Sequence, residues 1–264
     1  LDVIGPITKT VTDSEIVFNV IKGQDKFDST SHDGTENKKT KSPKIIGVPY
    51  HILENGGISE KVLNNFKNSI KKLEGIGYEI RDIKLPNIGY SLAVYYVLMP
   101  AEVSSNLARF DGVKYGLHID GKDLLDDYLK TRGQGFGKEA RRRILIGTYV
   151  LSSGYHDAYY NKAVMLRQKI ADEFTKTFSE VDVIVTPTTP GPAFKIGERI
   201  NNPLAMYLED IFTVPANIVG LPAISVPSGF VEEGGVSLPL GLQIIAPHNC
   251  ENLLFEVGKK YEGN

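Results

Sequence analysis

A chain of 264 residues, 41% of them hydrophobic and 23% charged, can bury a sizeable core and has globular composition, which excludes disordered, collagen-like and coiled-coil classes. Thirty basic against 32 acidic side chains give a net charge of −2, unlike the basic balance of a stand-alone nucleic-acid binder. No apolar run approaches the ~20 residues of a membrane span, and the single cysteine, Cys250, excludes an internal disulfide and fits a reducing compartment.

The chain opens Leu1-Asp2-Val3-Ile4-Gly5-Pro6, with neither a Met nor a signal peptide. Thr12-Asp13-Ser14-Glu15 is a capping box, with Val11 and Ile16 placed as a hydrophobic staple. A helix is therefore predicted over about 13–22, with Ile16, Val17, Val20 and Ile21 as its apolar face and Gly23 as its stop. Residues 24–43, rich in Ser, Thr, Asp and Lys, read as a long surface loop, with a domain boundary as the alternative. Lys44–Pro49 is a short β-branched strand. A helix follows with Val62, Phe66, Ile70 and Leu73 on one face, then a second strand, Tyr78–Leu85. Such a unit implies parallel strands joined by a right-handed crossover.

Residues 91–109 are helical but contain Pro100, which predicts a kink or two helices. Leu124–Lys130 and Lys138–Val150 are further helices. Asp157–Phe178 is long and amphipathic, with Ala163, Leu166, Ile170, Phe174 and Phe178 at helical spacing. Asp182–Thr186 is a buried strand, Ala223–Pro227 another, and Gly234-Gly235 turns the chain toward a strand at Gly241–Ala246 as part of an antiparallel hairpin. Glu251–Tyr261 closes the chain as a helix. The alternation predicts an α/β fold with a mixed β-sheet covered by helices.

Several single motifs fail. Gly133-Gln134-Gly135-Phe136-Gly137-Lys138 is followed by Glu139, where a phosphate loop needs Ser or Thr, and follows no strand. The segment reads as a flexible entry to a helix. Histidines 32, 51, 118, 156 and 248 have no zinc-ligand spacing. Cys250 reads as a small buried side chain, and no Gly-x-Ser-x-Gly elbow is present. Arg141-Arg142-Arg143 lie on a helix about 100° apart, so they cannot all face one way. Arg143 adjoins Ile144, Leu145 and Ile146 and can point inward.

Separate blocks, in order, carry a more specific signal. They are Leu1-Asp2-x-x-Gly5-Pro6, Ser104-Ser105-Asn106-Leu107-Ala108-Arg109-Phe110-Asp111-Gly112, and Gly135-Phe136-Gly137-x-Glu139-x-x-Arg142-Arg143-Ile144. Gly147-Thr148-Tyr149-x-Leu151-Ser152-Ser153-Gly154-Tyr155, Asp157-Ala158-Tyr159-Tyr160 and Pro203-Leu204-x-Met206-Tyr207-x-x-Asp210 follow. Gly220-Leu221-Pro222-Ala223-Ile224-Ser225-Val226-Pro227 and Pro239-x-Gly241-Leu242-Gln243 complete the set. Together they resemble the A subunits of glutamyl-tRNA(Gln) or aspartyl-tRNA(Asn) amidotransferases, within the amidase signature family. The family's Gly/Ser-rich signature, with its Ser-Ser-Lys triad, precedes the Leu-Asp-x-x-Gly-Pro stretch. The resemblance therefore implies that residues 1–264 are the C-terminal portion of a single amidase domain, a fragment or a split subunit, with the triad upstream of Leu1 and no catalytic residue in this chain.

What the resemblance implies for this chain is glutamine recognition. Arg143 matches the residue that clamps the substrate carboxylate, Asp210 the one that takes the α-ammonium, and Tyr95 a tyrosine lining the pocket. It further implies B and C partner subunits in a cytoplasmic heterotrimer, tRNA held mainly through B, and ATP and magnesium on a partner, with no cofactor or metal in this chain and no membrane association. Two other readings stay open: an amidase of another substrate specificity, which would have an apolar pocket in place of the Arg/Asp pair, and a non-catalytic assembly scaffold.

Overall fold

The computed structural model describes residues 1, 3–31, 42–54, 57–198 and 203–263. Asp2, His32, the centre of the predicted 24–43 loop and Asn264 lie outside the described residues. In chain order the elements are α1 (Val11–Ile21), β1 (Ile45–Val48), α2 (Tyr50–Glu54), α3 (Glu60–Ile76), β2 (Glu79–Asp82), α4 (Ser91–Asn106), α5 (Leu124–Gly135), α6 (Lys138–Leu151), α7 (Lys162–Thr177), β3 (Val183–Pro187), α8 (Pro203–Leu208), α9 (Val214–Val219), β4 (Ala223–Glu233), β5 (Val236–Ile245) and α10 (Glu251–Glu262). They fall into two compact units, one of Leu1–Leu92 with Lys169–Asn264 and one of Ala93–Gln168.

The first unit is built on a five-stranded mixed sheet of order β2-β1-β3-β5-β4. β1 pairs parallel with β2 and β3, and β5 pairs antiparallel with β3 and β4. The predicted strand–helix–strand unit is β1-α3-β2. Its crossover helix forms because both ends carry stop signals: the Ser59 side chain accepts from the Val62 amide, and Gly77 closes the helix at φ 106°. The periodic residues Val62, Phe66, Ile70 and Leu73 are all buried. The β4–β5 hairpin is longer than predicted on both sides. Gly234 and Gly235, at φ 57° and 80°, supply the two positive-φ positions of a tight hairpin turn, and pairing continues past a bulge at Pro227/Gly229. The Gly, Pro and Glu residues of this stretch hide the alternation in the sequence.

α1 differs from its prediction. Its N-cap is Thr10, whose hydroxyl accepts from the Asp13 amide and donates to the Asp13 carboxylate. Val11 and Ser14 are buried, and the Phe18 ring lies 5.5 Å from that of Phe255 in α10. Lys259 of α10 pairs with Glu15, and the Glu262 carboxylate accepts the Val11 amide at 3.0 Å. The packed stripe is thus residues 11, 14 and 18, selected by α10. Ile16, Val17, Val20 and Ile21 remain exposed, Val20 by 80%.

The second unit is helical. α4 continues through Pro100 as one helix rather than two. A Cβ on Gly147 would stand 1.9 Å from the Pro100 carbonyl oxygen, so α4 and α6 touch backbone to backbone at that point. α5 is longer than predicted: Asp123 caps it, and its last turn absorbs Gly133 and Gly135. Gly137 is the N-cap of α6, so the glycine-rich segment joins two helices. The predicted 157–178 helix opens instead as a π-helical turn, His156–Asn161, before α7.

Candidate functional site

α6 places its three arginines on different sides, as the 100° step requires. Arg141 is exposed and donates to the Gly133 carbonyl at 3.2 Å. Arg142 pairs with Glu139 through Nη2 and Oε2 at 2.7 Å. Arg143 is the most sheltered of the group, its side chain 29% exposed. Its Nε donates to Glu139 Oε1 at 2.8 Å and its Nη1 reaches Met99 Sδ at 3.5 Å, while its guanidinium carbon lies 5.9 Å from the Tyr96 ring centroid. The half-buried Tyr95 stands edge-on to Tyr96 at 5.1 Å. Burial alone would ease the proton off Arg143. The hydrogen bond and charge of Glu139, with Tyr95 and Tyr96, outweigh it and hold the guanidinium above its ordinary range. Arg143 and Tyr95 are thus brought together, on α6 and α4 of the second unit.

Sequence reasoning missed Glu139, Met99 and Tyr96 here. Glu139 has a readable signal, an acid four residues before an arginine on one helix. Met99 and Tyr96 have none, because their approach depends on the contact between Pro100 and Gly147.

Asp210 belongs to the first unit and lies in the turn between α8 and α9, exposed. Its carbonyl accepts the Val214 amide at 3.0 Å and so starts α9. The turn is anchored by Phe212, which is buried and whose carbonyl accepts from Gln243 Nε2 at 2.8 Å. Gln243 also donates to Thr186 Oγ1 on β3 at 2.9 Å. A buried amide with both donor hydrogens engaged ties the Asp210 turn to the centre of the sheet. Gly241, in the same sequence block, leaves room for the Thr188–Ser225 hydroxyl pair: a Cβ there would stand 2.6 Å from each oxygen.

Other clusters lie elsewhere. A cavity of about 810 Å³ in the first unit is bordered by residues 3–11, β4 and α9, and includes none of Arg143, Tyr95 and Asp210. Tyr149, Tyr155 and Tyr159 form an exposed trio. The Tyr149 hydroxyl is pushed up to about 12, first by its hydrogen bond with Tyr155. Among the described residues no group of three or more His, Cys, Asp or Glu is placed to hold a metal, and no helix is long and apolar enough to cross a membrane. Cys250 is buried and in no disulfide.

The profile of the family described as Amidase matches residues 1–255. The A subunit of the glutamyl-tRNA(Gln) amidotransferase of Thermodesulfovibrio yellowstonii is 51% identical over 270 residues, which cover 99% of this chain and 54% of that protein. The crystal structure of the A subunit of the glutamyl-tRNA(Gln) amidotransferase of Thermotoga maritima superposes with a TM-score of 0.75 at 42% identity, covering all of this chain and 53% of that one. A crystal structure of an amidase superposes with a TM-score of 0.71 at 21% identity, a likeness of fold alone. The chain spans about half the length of the curated relatives it matches.

Proposed function

Because the chain belongs to the amidase family, we propose that it is the glutamine-recognising part of the glutaminase subunit of a tRNA-dependent amidotransferase. The observation that carries this reading is its 51% identity, over 99% of its length, to a protein named for that activity. The subunit releases ammonia from glutamine, and a partner subunit uses the ammonia to convert Glu-tRNA(Gln) to Gln-tRNA(Gln). In this reading the partners are B and C subunits, tRNA is held through B, ATP and magnesium belong to a partner, and the assembly works in the cytoplasm. The serine nucleophile and its base are assigned to the part of the subunit outside this chain.

The role of this chain is to hold the substrate's charged end. Glutamine presents an α-carboxylate and an α-ammonium. Arg143 clamps the first, Asp210 takes the second, and Tyr95 lines the pocket. The half-buried guanidinium beside Tyr96 supports the role given to Arg143, because a sheltered cation gains more from an anionic partner than an exposed one.

In the full-length subunit in complex with its partners, Arg143→Ala should lower kcat/KM for glutamine by about 30-fold, the lower end of what losing one partner of a desolvated charge pair costs. Arg141→Ala should change it less than about twofold, and amidation driven by added ammonia should survive both. Equal losses from the two arginines would overturn the assignment.

A further inference from the structure

Resting on the role given to Arg143 above, we propose that Glu139 is a positioning residue that fixes the Arg143 guanidinium in the orientation that receives the substrate carboxylate. A guanidinium carries five N–H donors in one plane and can meet a carboxylate bidentately along either of two edges. Here one edge is taken. Glu139 Oε1 accepts the Nε hydrogen at 2.8 Å. Among the described residues, the hydrogen-bond partner of the terminal edge, formed by Nη1 and Nη2, is a weak acceptor, the Met99 thioether at 3.5 Å. Glu139 thereby holds the guanidinium by Nε and leaves the terminal edge, set against that weak acceptor, to the substrate carboxylate.

Three further observations support the assignment. Glu139 sits four residues before Arg143 on the same helix, so the pairing inherits the rigidity of α6. The second carboxylate oxygen is held by Arg142 at 2.7 Å, so Glu139 cannot swing aside without giving up both arginines. Two guanidinium groups on one carboxylate leave a net charge of plus one, which complements the single negative charge of an α-carboxylate. The carboxyl is suited to the task. Burial works to raise its pKa, but the hydrogen bonds from Arg143 and Arg142 prevail and hold it below the ordinary glutamate range. It stays ionised near neutral pH, and a flexible arginine is ordered before substrate arrives.

The test is steady-state glutamine kinetics in the full-length subunit in complex with its partners. Glu139→Ala should raise KM about tenfold, the effect of losing a hydrogen bond to a charged group, with kcat within about twofold. Glu139→Gln, which keeps an oxygen acceptor for Nε and is the safer variant for folding, should raise KM only about threefold. Neither change should add to the KM of Arg143→Ala when combined with it, because Glu139 acts through Arg143 alone. If Arg143→Ala raises KM while both Glu139 variants leave it unchanged, Glu139 has no positioning role and the reading of Arg143 stands. Losses that multiply in the double variants would likewise overturn the proposal. If Arg143→Ala itself leaves KM unchanged, the reading of Arg143 falls and the proposal falls with it.

Discussion

Asp210 and Gln243 divide one task between a charge and an anchor. Asp210 contributes its carbonyl to the start of α9 and is itself exposed, while Gln243 pins the same turn through the Phe212 carbonyl. Asp210→Asn keeps the shape and the backbone role and removes only the charge. It should therefore weaken glutamine binding by roughly threefold to tenfold. The discriminating measurement uses a glutamine analogue without the α-amino group. The parent subunit should reject it, whereas the Asn variant should bring the two substrates closer to parity. Unchanged discrimination would make Asp210 a turn residue and place the ammonium site elsewhere. Its assignment comes from the Pro203–Asp210 block, whereas Gln243 stands in a matched block without a stated role. Its use becomes visible only when β5 is seen beside β3 and the 209–213 turn.

At the scale of elements, the contact between α4 and α6 is what presents Arg143 to Met99 and Tyr96. Gly147 lies one helical turn beyond Arg143, and a methyl there would overlap the Pro100 carbonyl and approach Ser104 Cβ at 2.8 Å. The obstacle is backbone, so no rotamer change relieves it. Gly147→Ala should cost about 1–3 kcal/mol of stability by overpacking, despite the ~1 kcal/mol by which alanine is the better helix former. Gly133→Ala, in α5 with nothing within 4 Å of the added methyl, should instead gain up to about 1 kcal/mol. Thermal melts of the two variants moving in the same direction would contradict this account. The same logic decides what is legible in the sequence. β1-α3-β2 can be read because its caps, period and strand composition agree. The packed stripe of α1 cannot, because apolar residues occur on both of its sides and the choice is made by α10, whose Glu262 bonds Val11 across 251 positions. The Glu139–Arg143 spacing is legible, but the surroundings of Arg143 depend on the helix contact and are not.

At the scale of the whole molecule, the two units differ in how much apolar surface they hide. The first unit buries both sides of β3 and packs α3 and α10 against the sheet through Phe66, Leu73, Leu253 and Val257. The second unit buries a much shorter set of apolar side chains, Val94, Leu98, Met99, Ala101, Val150 and Ala163. Within it, α5 buries only Thr131 and exposes Leu125, Leu129 and, by 76%, Leu124. Local opening costs least where few apolar contacts are lost. Backbone amides of α5 should therefore exchange hydrogen fastest among the longer helices, those of α6 more slowly, and those of β3 and β5 last, at rates set by global unfolding. Hydrogen exchange resolved by peptide mass spectrometry reads this order directly. Protection of α5 equal to that of β3 would mean that its leucines are covered in solution, and the exposed surface of that helix would then have to be assigned to a partner.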